Sequence, residues 1–394
     1  MATQPTFDAP ASDWLVYADE LQQAGDLRGE LIALNGAASQ GDKMPERNAY
    51  VETHFAALFG LPPRSVGVKW GLAAHTVTVR VFPDDDAAAI LASFFDSPMA
   101  TMTRELAISG MTPESSDRVD LTAAVAFAAE KLPVTCKALS LVDDRATRAS
   151  SLVSADYDPD ENLVDFGSLA PLWTIGHLES LELHVADPMQ LEFGSISSSS
   201  LRSFGLYGIR WADAYHEDES ELAKTLTAAT WPNLESLSLR LPETFTCSVP
   251  DNDGAYVRCE RYDEDNYEDE GYDDGYSEGV NWDVELGPLL QSLHETKLSR
   301  LSLHSFDSSD ALLGSLANGP LPPTLKTLDL SDSEVGQGDA DWFVKNKARL
   351  ENLEVLDLSR TRLSKRVAAT LDSIGPRIIH SSGGSTHRFL VGME

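Results

Sequence analysis

The chain has 394 residues, 42% hydrophobic and 24% charged, and its 63 Asp plus Glu outnumber 30 Lys plus Arg to give a net charge of −33. That length suits one elongated repeat domain or two to three ordinary domains, and a surface this negative repels phosphate backbones, which argues against direct nucleic-acid binding. Three cysteines, Cys136, Cys247 and Cys259, with no CxxC pair, argue against a disulfide scaffold and a structural zinc site.

Met1–Pro10 lacks a basic start followed by an apolar run, and no stretch approaches the ~20 apolar residues of a membrane helix. The expectation is a cytoplasmic protein. Asp13–Ala24 reads as an amphipathic helix carrying Trp14, Leu15, Tyr17, Ala18 and Leu21, and Gly25-Asp26 ends it. Leu27–Leu34 starts a second helix and Pro45–Phe59 forms a third. Their shared core is thin for an independent unit. Residues 1–65 are therefore expected to dock on the following segment as an N-terminal cap.

Within this stretch, Tyr17, Ala18, Asp19, Leu21, Gly25, Asp26, Arg28, Gly29, Glu30 and Leu31 form a spaced motif. It resembles a bacterial repeat-companion domain, whose core reads Tyr-Ala-Asp-x-Leu-x-x-x-Gly-Asp-x-Arg-Gly-Glu-Leu and which often precedes leucine-rich repeats. The resemblance covers about 30 residues. It implies a bacterial origin and a repeat architecture downstream, and it implies no activity.

Strand and helix then alternate. Thr76–Phe82 carries Val77, Val79 and Val81 and precedes a helix-like Asp84–Phe95; Thr103–Ser109 carries Leu106 and Ile108 and precedes Leu121–Leu132; Cys136–Val142 carries Leu139 and Leu141. These read as three degenerate repeats. Asp143–Thr174 interrupts the period, and Ser151–Val153 with Asn162–Phe166 reads as a hairpin or an irregular repeat.

From Leu178 the period is explicit. Leu-x-x-Leu-x-Leu occurs at Leu178–Leu183, Leu234–Leu239, Leu298–Leu303, Leu325–Leu330 and Leu353–Leu358, and with one Phe at Leu201–Leu206. The last three start at 298, 325 and 353, steps of 27 and 28, inside the 20–29 residues of a leucine-rich repeat. Alternate Leu residues of a short strand point one way, and each unit buries them only by stacking on its neighbours. Amphipathic segments at Glu219–Ala229, Glu285–Leu293, Asp307–Ala317, Asp339–Leu350 and Lys365–Ile374 can return the chain outside the strands. The repeats resemble the ribonuclease-inhibitor type in spacing. Arg377–Glu394 holds two short apolar runs around Gly383-Gly384, which read as a closing β-hairpin.

Two surfaces are candidates for binding. Asp251–Glu285 holds 14 acidic residues against Arg258 and Arg261, a local charge of −12. Its densest part is Tyr262, Asp263, Glu264, Asp265, Tyr267, Glu268, Asp269, Glu270, Tyr272, Asp273, Asp274 and Tyr276. Its low apolar content predicts disorder. It is either a solvated loop or an acidic–aromatic arm for a basic partner, with Tyr supplying contact area and carboxylates steering; it has no Gly-punctuated calcium loop. The second surface is the outward side of the repeat strands: Glu182 and His184, Gly205 and Tyr207, Ser238 and Arg240, Ser302 and His304, Asp329 and Ser331, Asp357 and Ser359. It is either ordinary exposed polarity or a concave partner-binding face whose acidic C-terminal end suits a basic partner.

The nine histidines show no HxxxH or HxH spacing, and neither a Gly-x-Ser-x-Gly elbow nor a GxxxxGK[ST] loop occurs. No catalytic residue, metal or cofactor is assigned. The sequence thus predicts an α/β leucine-rich-repeat solenoid, a right-handed horseshoe with strands inside and helices outside. Residues 1–65 form the helical cap, 66–376 the repeats with their acidic insert at 251–285, and 377–394 a β cap. The expected role is a non-catalytic scaffold or adaptor for a basic protein, with neither nucleic acid nor membrane as partner. The alternatives are an inhibitor or immunity-type protein masking a basic toxin or nuclease by charge mimicry, and an enzyme of unrecognised type.

Overall fold

The computed structural model describes residues 3–39, 44–112, 118–144, 164–185, 188, 191–208, 220–240, 248–250, 256–258, 282–304, 313–314, 316–317, 321–333 and 335–380. Three helices come first, α1 (Ala11–Gln23), α2 (Leu27–Ala38) and α3 (Met44–Phe59). An antiparallel pair follows, β1 (Val66–Lys69) with β2 (His75–Val81). Then come α4 (Ala87–Phe95), β3 (Thr103–Gly110), β4 (Val119–Asp120), α5 (Thr122–Lys131), β5 (Ala138–Asp143), β6 (Val164–Asp165), β7 (Ser180–Val185) and β8 (Ser203–Gly208). The chain continues through α6 (Ser220–Thr227), β9 (Ser236–Arg240), β10 (Ser248–Pro250), β11 (Tyr256–Arg258), α7 (Trp282–Ser292), β12 (Arg300–His304) and β13 (Thr327–Asp329). It ends in α8 (Ala340–Lys345), β14 (Val355–Asp357), α9 (Lys365–Thr370) and β15 (Arg377–Ile379).

The fold is α/β with a large, mostly parallel sheet. Eleven strands lie in chain order, β1-β2-β3-β5-β7-β8-β9-β12-β13-β14-β15, and every neighbouring pair after β1–β2 is parallel. The six Leu-rich segments are thus consecutive strands of one sheet. Their apolar residues align: Leu139, Leu181, Phe204, Leu237, Leu301, Leu328 and Leu356 form one row, and Leu141, Leu183, Leu206, Leu239 and Leu303 the next. All are buried. One continuous apolar cluster runs from Trp14 to Ile374.

Two features differ from the sequence reading. The first strand, β1, runs antiparallel to the rest. Val164–Asp165, read as part of a hairpin or an irregular repeat, pairs in parallel with β4, while Ser151–Val153 lies outside the described residues; the isolated bridges Ser168–Glu192 and Ser197–Thr230 extend the same kind of pairing along the chain. Arg377–Ile379 joins the sheet as a parallel strand beside β14, while the rest of the expected closing hairpin lies outside the described residues. Several returning segments also tighten into 3-10 turns, as at Ala170–Thr174, Lys347–Arg349 and Leu371–Ile374.

The N-terminal motif is a set of packing and capping devices. Gly25 sits at φ +74 and turns the chain out of α1, a conformation L side chains rarely adopt. Asp26 caps α2 by accepting from the Arg28 N–H at 2.9 Å and grips the Arg28 guanidinium at 2.6–3.1 Å. That pairing holds the Asp26 carboxyl below its ordinary pKa. Arg28 Nη1 then reaches Thr101 Oγ1 at 2.8 Å, on the turn before β3. Gly29 lets α1 and α2 approach, since a Cβ there would come within 2.6 Å of the Ala18 carbonyl.

His75, the first residue of β2, is almost fully buried. Its Nδ1 accepts from the Gly71 N–H at 3.2 Å, and its Nε2 has no partner. Trp70 lies edge-on at 5.2 Å, with the Arg47 guanidinium 5.4 Å above the indole. Burial, reinforced by Arg47, holds His75 down at about 4. The folded state thus keeps the ring neutral at a pH where the unfolded chain, near 6.5, takes a proton. His75 contributes no acid penalty above pH 6.5, and stability falls as pH drops from 6.5 toward about 4, by up to roughly 3 kcal/mol. Urea titrations of wild type and His75→Leu across this range should show the wild type losing more; equal pH slopes would remove the charge-burial account.

Candidate functional site

The sheet has one face on the core and one open. Strand alternation puts the middle residues of each Leu-x-Leu on the open face, with burial patterns such as iBiBiB in β7 and iBiBi in β9. The register lines them up. Ser140, Glu182, Gly205, Ser238, Ser302, Asp329 and Asp357 form one line across neighbouring strands. Val142, His184, Tyr207, Arg240 and His304 form a second. Ser331 and Ser359 follow β13 and β14 at matching positions. The sequence-assigned residues are therefore brought onto one surface, apart from Tyr262–Tyr276, which lie outside the described residues. Within the insert, residues 256–258 form β11, which pairs antiparallel with β10 just before the insert, so these three residues are a strand where disorder was expected.

Side chains on this face interlock. The Glu182 carboxylate meets His184 Nε2 at 3.4 Å, and this hydrogen bond, with a smaller one from Ser140, keeps the Glu182 pKa below its usual range despite burial. The His184 ring stacks on Tyr207 at 4.6 Å and 11°. Burial raises the Tyr207 pKa, with Ser238 near its hydroxyl acting against the rise. Gly205 leaves room for this stack: a Cβ there would come within 2.7 Å of the Tyr207 ring, which would have to move.

Toward the C-terminal strands, Arg300 Nη2 reaches Asp329 at 3.4 Å and His304 Nδ1 reaches the Ser331 hydroxyl at 3.1 Å. Asp329 and Asp357 each accept from the N–H two residues on, Ser331 at 3.1 Å and Ser359 at 2.8 Å. The chain then takes left-handed φ at Asp332 (64°) and Arg360 (58°). These two side chains pair across the strands, with Arg360 Nε 2.8 Å from Asp332 Oδ1. Arg240, desolvated beside them, has its pKa lowered by burial and is attracted by Asp332.

Two points were hidden in the sequence. Ser302, Asp329 and Ser331 are at most 6% exposed, so they support the face from beneath instead of offering a side chain to a partner. The acidic C-terminal end is also countered by arginines at positions the Leu-x-Leu reading skipped. A third line runs one residue earlier, through Glu105, Ser180, Ser203, Ser236, Arg300 and Arg377, and the described residues of the three lines carry four carboxylates, Glu105, Glu182, Asp329 and Asp357, and four guanidiniums, Arg300 and Arg377 at the skipped position with Arg80 and the already assigned Arg240. The face is balanced while the chain carries −33. Arg300 was legible as the residue one before each Leu-x-Leu, had that position been read as outward.

A second, polar cleft of about 300 Å³ lies at the leading edge of the strands, lined by residues including Lys137, His177, Glu179, Ser200, Arg202 and Asn233. Its charges pair between strands, Lys137 with Glu179 at 3.6 Å and Arg202 with Glu235 at 2.8 Å. Lys326–Glu354 repeats the arrangement at 3.4 Å. Such exposed pairs contribute little energy. Among the described residues, no three His, Cys, Asp or Glu gather as metal ligands, and no helix is long and apolar enough to cross a membrane.

No family model matches the chain, and no curated protein matches it in sequence. A crystal structure of a protein from Bacteroides fragilis resembles it with a TM-score of 0.49 and 13% identity, over 76% of this chain and 71% of that one. The crystal structure of human 5T4, the Wnt-activated inhibitory factor 1 or trophoblast glycoprotein, resembles it with a TM-score of 0.29 and 16% identity, over 77% and 76%.

Proposed function

We propose that the chain is a leucine-rich-repeat solenoid, capped by a repeat-companion unit, that holds a basic protein on the concave face of its sheet and catalyses nothing. The observation carrying this reading is the in-register open face from Glu182 to Asp357. It is a continuous polar surface with a stacked aromatic pair on its first two strands, the arrangement by which repeat proteins bind extended partners. The repeat assignment draws on the last two units, Leu325–Val335 and Leu353–Leu363. In both, a buried hydroxyl residue, Ser333 or Thr361, takes the place of the Asn or Cys in the eleven-residue pattern. Ser333 Oγ donates to the Leu303 carbonyl at 3.1 Å and Thr361 Oγ1 to the Leu358 carbonyl at 2.8 Å. The acidic insert supplies the field that speeds encounter, and the balanced face supplies the contacts.

The test is affinity capture from extract of the native cell at low and high salt, with two single-arginine variants. Ser238→Arg puts bulk and positive charge in the middle of the face. Glu130→Arg shifts the charge by two units, twice the change of Ser238→Arg, on the exposed outside of α5. The expected result is a basic captured protein, released by salt, lost with Ser238→Arg and kept with Glu130→Arg. Equal capture by both variants would move the binding site off the sheet.

A further inference from the structure

We propose that Glu182, His184 and Tyr207 form an anchor for one arginine side chain of the partner; this rests on the reading of the chain as a holder of a basic protein. The Tyr207 ring is packed against its neighbours. It lies parallel to His184, leans over Gly205, where a Cβ would press on it, and has Ser238 near its hydroxyl. Its strand neighbour Glu182 sits in register with Gly205, one strand step of about 4.8 Å away. A carboxylate and an aromatic ring thus stand side by side on the same surface, and the Glu182 side chain is 43% exposed.

The local pairing of charges favours a cation. The charged groups near Tyr207 are the carboxylates of Glu182 and Asp329 and the guanidiniums of Arg300 and Arg240, the last in register on the next strand and attracted by Asp332. Arg300 is already engaged by Asp329. Glu182 meets only the imidazole of His184 among the described ion pairs. On the leading side, Ser180, Ser203 and Ser236 lie next to one another in register, and their small side chains leave room for a long aliphatic stem to lie along the sheet.

Arginine fits this constellation better than lysine. A planar guanidinium stacks on an aromatic ring and gives a carboxylate two parallel N–H bonds at once. An ammonium is a point charge with a tightly held water shell and can satisfy only the carboxylate.

The experiment measures binding of fluorescent oligo-arginine and oligo-lysine peptides of equal length to the full chain at near-physiological ionic strength. Expected is a preference of about tenfold for oligo-arginine. Tyr207→Leu, which leaves the charge unchanged, and Glu182→Gln, which changes it by one unit, should each bring oligo-arginine to the oligo-lysine level. Tyr207→Phe should keep the preference. Urea midpoints check each fold, and the half-exposed Glu182 provides the arm least prone to misfolding. If both peptides bind wild type alike, or if folded Tyr207→Leu and Glu182→Gln keep the preference, the anchor is overturned while the basic-partner reading stands. If neither peptide binds wild type, both fall.

Discussion

Removing residues 1–65 should leave a chain that no longer folds cooperatively. The helices are joined to the first strands by specific contacts. Arg28 reaches Thr101 across the junction, Asn35 Nδ2 donates to the Leu72 carbonyl at 3.3 Å, and Arg104 reaches Asp8 at 3.1 Å. The Phe59 ring meets Trp70 edge-on at 6.3 Å. Behind these lie Trp14, Leu31, Ile32, Leu58 and Phe59, each at most 2% exposed. Burying one such side chain is worth roughly 1.5–3 kcal/mol, and a whole domain is stable by only about 5–15 kcal/mol. Truncation bares the apolar surface these residues cover, including the side of Trp70 and the fully buried Met99 and Met102. Without the helices the first strands expose the core they share with them, as an uncapped end of a repeat array would. The expected truncation is insoluble, or soluble with a broad urea transition and strong binding of a hydrophobic dye. A monodisperse truncation with a sharp transition would make the helices an independent module.

Much of this organisation was legible because a strand's side-chain period of two leaves a plain mark in sequence. Leu at alternate positions placed six strands, and neighbouring register then placed Glu182, Ser238 and Asp357 on one face without further information. What escaped depends on neighbours. Val66–Lys69 carries no Leu mark, and its antiparallel pairing with β2 comes from the short turn through Gly71. The pairing of Val164–Asp165 with Val119–Asp120 joins residues 45 apart through two-residue strands, too short for any periodicity. The burial of Ser302, Asp329 and Ser331 is invisible in their polarity; Asp329 and Ser331 are contacted by Arg300 and His304 from the adjacent strand. The motif from Tyr17 to Leu31 was recognisable as a pattern, but the reach of Arg28 to Thr101, 73 residues on, was not.

Replacing Leu328 with Ala should cost roughly 2–5 kcal/mol, the range of buried Leu truncations. Leu328 is 0% exposed and lies between Leu301 and Leu356 in register, both also 0% exposed. How much of that range is reached depends on whether the surroundings can close the gap. Here they cannot close it easily. The strands on either side are held by main-chain bonds, Lys326 N–H to the Ser299 carbonyl at 2.8 Å and Leu330 N–H to the Asp357 carbonyl at 2.9 Å. Moving one strand inward would break the pairing of the next, so the cavity persists and the loss should fall in the upper half of the range. Lys326→Ala, two residues away on an exposed ion pair with Glu354, should shift stability by less than about 0.5 kcal/mol. Urea unfolding of both variants decides the point, with an unchanged m-value confirming that the same surface is exposed. If Leu328→Ala shifts stability no more than Lys326→Ala does, the row through Leu328 is not the core of this sheet, and the alternation that placed the open face opposite it loses its footing as well.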